Sequence, residues 1–168
     1  VSLKSSLGAK DHTIDRLLDG NLNTAWLGAV GESKGEGQEW VEIMLKDYSL
    51  QAVGIVNGVP GDAESFSAYN RIKRLKIEIE QDEYDFFADR AEKKYIEEIV
   101  ELEDQRRGDL RAAAFAPYLS ILADLGPSFN KTYRVRLTIL EVYPGLSNQT
   151  GIAEIYLLGY KNDQTFHP

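Results

Sequence analysis

The stretch RLKIEIE, residues 74–80, constrains this chain more than any other. Leu75, Ile77 and Ile79 alternate there with Arg74, Lys76, Glu78 and Glu80. A period of two places the apolar side chains on one face and the charges on the other. A helix would scatter both sets around its axis. The segment predicts a β-strand with one wet face, which suits an antiparallel sheet covered on one side only.

Other segments follow the same rule. In EWVEIML (39–45), Val41, Ile43 and Leu45 share a face, with Trp40, Glu42 and Met44 opposite. QAVGIVNG (51–58) reads as a second strand, ended by Asn57-Gly58. In TYRVRLTILEV (132–142), Tyr133, Val135, Leu137 and Ile139 line one face, and IAEIYLLGY (152–160) is a closing strand. The first twenty-five residues look irregular, with Leu17 and Leu18 as anchors, and Val59–Asn70 reads as a long polar loop. The block 82–128 differs. Its acidic start is compatible with a helix, EEIVELED fits a strand equally well, and periodicity does not choose between them. DLRAAAFA (109–116) reads as a short helix capped by Asp109 and interrupted by Pro117. YLSILADLGP then reads as a second helical piece, stopped by Gly126-Pro127. Strands without regular βαβ alternation predict an all-β sandwich. The expected domain is 1–168, with a partly helical insertion at 82–128.

At 168 residues one core suffices. A net charge of −8 argues against nucleic acid and anionic membrane, which need basic patches. With no cysteine, disulfides and thiolate metal sites are excluded. No apolar run approaches the roughly 20 residues that span a bilayer, so no membrane insertion is expected.

Catalytic motifs are missing. The histidines, His12 and His167, lie in the irregular start and beside the end. Neither Gly-x-Ser-x-Gly nor His-Glu-x-x-His occurs. A glycosidase pair needs two carboxylates fixed across a cleft, and the sequence singles out none. GAVGESKGEG (28–37) lacks the Gly-Lys-Ser/Thr of a phosphate loop. The reading is a domain that binds without catalysing.

LLDGNLNTAW (17–26) concentrates short oxygen-bearing side chains. Asp19, Asn21 and Thr24 lie within six residues and suit a hard cation such as calcium, which wants six to eight oxygens. The same residues suit an Asx turn in which Asp19 caps backbone amides. Both readings stand at this level. Trp26 and Trp40 belong to the core or offer faces to a sugar ring.

The order of segments adds to this. LLDGNLNTAW, GEGQEWVEIML, VGIVNG, YNRIKRLKIEIE, LTILEVYPG and GIAEIYLLG run in sequence. This resembles the discoidin, or coagulation factor 5/8 type C, domains of the galactose-binding-like superfamily. The NG…YNRIKRLKIE and LEVYPG…IAEI segments are most similar to the discoidin-like, glycan-binding domain found beside bacterial NAD glycohydrolases. The resemblance covers roughly 15–80 and 130–160. It implies an eight-stranded antiparallel jelly roll and a structural calcium. Asp19, Asn21 and Thr24 would be joined by Glu154 of IAEI as the far carboxylate. It implies a carbohydrate or glycan as ligand, held by loops 26–38, 57–71 and 144–151. Trp26 would stack on the sugar, while Asn57, Tyr69, Asn70 and Arg71 would meet its hydroxyls. Arg71 could instead be a strut paired with acidic surface. It further implies a secreted or cell-envelope bacterial protein with an adjacent catalytic domain. An alternative role is protein interaction, positioning a neighbouring toxin or enzyme through the acidic block.

Overall fold

The computed structural model describes residues 1–6, 13–28, 39–59, 63–85, 90–104, 119–124 and 131–161. Eight strands carry the fold: β1 Ser2–Ser5, β2 Trp26–Leu27, β3 Trp40–Asn57, β4 Arg71–Asp85, β5 Arg90–Glu101, β6 Leu119–Asp124, β7 Lys131–Tyr143 and β8 Gly151–Lys161. A 3-10 turn, Ile14–Leu18, precedes β2, and one short helix, α1 Ala63–Ala68, precedes β4.

The two segments expected at 39–45 and 51–58 are one strand. β3 turns a corner in its middle, where its register slips between Leu45 and Tyr48 and Asp47 takes a left-handed φ of 53°. A short polar side chain tolerates that conformation better than most. Before the corner, β3 pairs β1 and β7; beyond it, Ala52–Val56 pair β6 and β8. The corner therefore makes two layers from one hydrogen-bonded network. One layer is β1-β3-β7-β4-β5 and the other is β6-β3-β8-β2.

Alternation decides which faces meet. Val41, Ile43 and Leu45, with Leu75, Ile77 and Ile79, and with Tyr133, Val135, Leu137 and Ile139, point inward and are buried. Leu50, Val53, Ile55, Ile152 and Ile155 close the core from the second layer, and Leu17 anchors the 3-10 turn to it. Burial of this apolar surface drives the association of the layers.

Further expectations are settled by the structure, beyond the single β3 strand and the helix α1 inside the expected loop 59–70. The described residues of the acidic stretch after Gln81 are strand; Glu78–Asp85 pair Arg90–Glu97 residue for residue. The charges alternate with apolar residues only loosely here, so periodicity could not choose. Leu119–Asp124, read as helix, is a strand on β3. Its good helix formers Leu and Ala are overridden by a place in the ladder. The helix expected at 109–116, both histidines and the glycine-rich 29–38 lie outside the described residues.

Candidate functional site

The turn that carries Asp19 is fixed by its own side chains. Asn21 N–H donates to Asp19 Oδ1 at 2.8 Å, and Asn23 N–H donates to Asn21 Oδ1 at 3.0 Å. The Thr24 hydroxyl lies 2.7 Å from Asp19 Oδ2 and 2.8 Å from the Asn21 carbonyl oxygen. Gly20, at φ 69°, supplies the left-handed step that brings the chain round. The Asx turn is therefore present. It does not compete with the cation reading, because Glu154 lies beside it.

Glu154 sits on β8 opposite Val56 and is 2% exposed. Its Oε2 is buried with no hydrogen-bond partner. Burial pushes its carboxyl up to about 7, and the negative charge of Asp19 acts in the same direction. The Gly20 backbone amide partly offsets this. Two carboxylates thus meet more than a hundred residues apart in sequence, one buried with an unsatisfied oxygen. Such an arrangement is costly without a proton or a cation between the groups. The oxygens of Asp19, Thr24 and Glu154, with the Asn21 carbonyl, fit a hard cation. Among the described residues no group of three or more acidic, histidine or cysteine side chains is placed to hold a metal ion.

The loops expected to hold a sugar do converge. Asn70 N–H donates to the Gln149 carbonyl, and Gly151 N–H returns a bond to the Asn70 carbonyl. Gly28 N–H donates to the Thr150 carbonyl, and Gln149 Nε2 to the Gly28 carbonyl. Leu146 N–H and Ser147 N–H reach back to Ser67 and Ala68. Gly145 lies so close to Tyr69 that a Cβ would come within 2.4 Å of its carbonyl carbon. Residues 29–38 and 60–62 lie outside the described part of these loops.

Most of the expected sugar contacts are spent inside the protein. Trp26 is fully buried at 0% exposure and packs in the core, so no ring face reaches a ligand; that assignment is corrected. A two-residue strand pairing Ile152 holds it there. Asn57 uses both ends of its amide on the backbone of Ile72, donating at 2.7 Å and accepting at 2.8 Å. The Arg71 guanidinium grips Asp104 through Nε and Nη2, at 2.9 and 2.7 Å, and donates from Nη1 to the Tyr69 carbonyl. It also lies 5.1 Å from the Phe66 ring centre. Arg71 is the strut. Asn70 accepts from Gly145 N–H at 2.8 Å and is buried. Tyr69 is half-exposed, as is Asn57, whose amide is already spent on Ile72.

Sequence reading missed Leu146, which is 90% exposed at the loop end beside Ser67. The signal was available: an apolar residue set between Pro144-Gly145 and Ser147-Asn148 in a turn has no core to join. It placed the charges on the outer face of the first layer but not the pairs that cross it. There Arg134 contacts Glu80 at 2.8 Å and Glu42 at 3.9 Å, and Arg136 lies 4.4 Å from the Trp40 ring centre. Lys93 pairs with Glu80 across the hairpin. A recess of about 150 Å³ opens among Met44, Glu80, Asp82, Lys93 and Arg134, but its charges face one another.

The profile of the NAD glycohydrolase translocation F5/8 type C domain matches residues 1–158. The chain belongs to that family. No curated protein matches it. Several solved structures share the fold at low identity. The family 32 CBM of NanJ from C. perfringens, solved with galactose, is 11% identical, with 92% of this chain and 90% of that one covered and a TM-score of 0.52. A Streptococcus pneumoniae fucose binding module is 14% identical, covering 96% and 91%, with a TM-score of 0.52. The mycobacterial arabinofuranosyltransferase AftD aligns at 16% identity and a TM-score of 0.54 over 95% of this chain, which spans 11% of that one. The discoidin-like, all-β sandwich expected from the segment order is thus the fold of this F5/8 type C domain. Among its described residues no helix is long and apolar enough to cross a membrane.

Proposed function

We propose that this domain is a non-catalytic carbohydrate-binding module of a secreted or cell-envelope bacterial protein. The observation that carries the reading is the loop end where Tyr69 stands half-exposed beside the 144–147 turn and Leu146 projects beyond it. An aromatic ring and an aliphatic group carried on loops knitted by main-chain bonds would offer a preorganised apolar contact. The apolar face of a pyranose suits such a contact. The likeness to modules solved with galactose or described as fucose-binding supports the same class of ligand. In this reading Asn57 and Arg71 shape the loops, and Tyr69, with Asn70 at its flank, meets the sugar.

Calcium would be held by Asp19, Asn21, Thr24 and Glu154. Bound, it would supply charge neutralisation at the buried carboxylate and tie the first loop to the last strand. These residues orient each other already; the cation is structural and takes no part in sugar contact.

The test is a glycan array followed by calorimetry with galactose and fucose on the calcium-loaded protein. Tyr69→Ala should weaken binding by about tenfold, which is roughly 1.4 kcal/mol, with the melting temperature unchanged. A folded domain that retains no glycan on the array would sink the proposal.

The family description favours a second reading, in which the domain positions a neighbouring NAD glycohydrolase. Deleting 82–128 cannot test this, because that block supplies two strands of the sheet. Surface substitutions on β5 that leave the fold intact can: unchanged capture of the neighbouring enzyme would count against a contact there.

A further inference from the structure

β5 ends its layer. It pairs β4 from Asp85↔Arg90 to Arg74↔Glu101, and among the described residues no strand lies on its other side. A long edge presents a row of unpaired peptide groups to solvent. Two large apolar side chains stand on the outer face of this edge, Tyr95 at 65% and Ile99 at 56% exposure. Edges are commonly guarded by charge, and a row of one sign repels a second copy. The row on β5 changes sign at mid-strand. Lys93 and Lys94 precede Tyr95, whereas Glu97, Glu98 and Glu101 follow it.

We propose that two copies of this chain join edge to edge through β5, antiparallel, about a two-fold axis normal to the sheet at Tyr95. An axis of that kind opposes residues of the same face. Centred on Tyr95, it sets Lys93 opposite Glu97 of the other copy, twice by symmetry. It stacks Tyr95 on its own counterpart and brings Ile99 opposite Ala91. Lys94 falls diagonal to Glu98, within reach of a long side chain. Against these stand Glu92 opposite Glu98, likewise twice by symmetry, and Lys94 diagonal to its own counterpart. The exposed apolar groups and the free peptide groups are covered together, and the β1-β3-β7-β4-β5 layer continues across both copies. The loop end that carries Tyr69 is untouched, so the proposal does not depend on sugar binding.

Sedimentation velocity over a concentration series tests it. The wild-type chain should shift from monomer to dimer as concentration rises. Lys93→Glu and Glu97→Lys should each be monomeric, with unchanged circular dichroism, and their equimolar mixture should recover the dimer. That rescue follows because each reversed residue then faces an opposite charge. Because the chain has no cysteine, Tyr95→Cys provides a second measurement. Oxidation should cross-link it to itself, while a cysteine at exposed Lys46, away from this edge, should stay monomeric. A chain that is monomeric at every concentration, or a dimer that neither reversal disturbs, overturns the proposal.

Discussion

Glu154 and Glu80 are the same side chain in opposite situations. Glu80 lies on the charged outer face with Lys93 and Arg134 on either side, and the Lys93 hydrogen bond holds its carboxyl below the usual range. Glu154 lies under the first loop, faces Asp19, and is pushed up by burial. The outer face is self-sufficient, since Glu42, Glu78, Glu80, Asp82, Glu97 and Glu101 each meet a cation of this chain. The corner under the first loop is not, because its second carboxylate only adds charge of the same sign. A cation from solution is what would make the two regions equivalent.

Removing that cation has the largest expected effect. With calcium in excess the wild-type domain should melt about 5–10 °C higher than with EGTA, the shift of a ligand near a hundredfold above its Kd. Glu154→Gln and Asp19→Ala should abolish the difference. Equal melting of the wild type in both buffers would return the corner to a plain Asx turn.

A second prediction reads the buried carboxylate through pH. In the chelated protein, folded Glu154 holds its proton up to about 7, whereas an unfolded carboxyl releases it near 4.5. The folded state is therefore favoured below 4.5, and that stability is lost as pH rises toward 7. Denaturant titrations should show the wild type losing stability across this window relative to Glu154→Gln. Calcium, by holding the ionised form, should remove the loss. An unchanged difference between the two proteins across the window would break the contrast with Glu80.

Arg71 tests an intermediate case, a pair satisfied within the chain and largely buried. Arg71→Ala should cost about 1–3 kcal/mol in urea denaturation, since Asp104 and the Tyr69 carbonyl lose their donors. Arg71→Lys keeps the charge but not the two-pronged grip, and should recover only part of that loss. The smallest effect belongs to Glu80→Ala. Its partners are exposed and free to find water, so melting should barely move, and less still at high salt.

The strands were legible where one face is buried and the other wet. Leu75-Ile77-Ile79 and Tyr133-Val135-Leu137-Ile139 announced their inner faces because burial sorts side chains by hydropathy at every second position. Legibility failed after Gln81. Charges there lie on both faces of an edge hairpin, and a strand with little to bury carries no sorted pattern. It failed for Leu119–Asp124 because ladder pairing with β3, not local propensity, sets that conformation. Among the candidate ligands, Asp19, Asn21 and Thr24 were legible as a turn because they are close in sequence. The resemblance implied sugar contacts for Asn57 and Arg71, yet their partners, Ile72 and Asp104, take their hydrogen bonds.

By itself the sequence determined the all-β character, the inward faces of the main strands and the local form of the first loop. These depend on neighbours at a spacing of two to five residues, where side-chain chemistry acts directly on the backbone. Only the tertiary structure decided that Glu154 faces Asp19, that Trp26 is core, and that β5 is an edge. Each of these depends on which distant backbone groups become partners, and a partner's identity is a property of packing rather than of either residue alone.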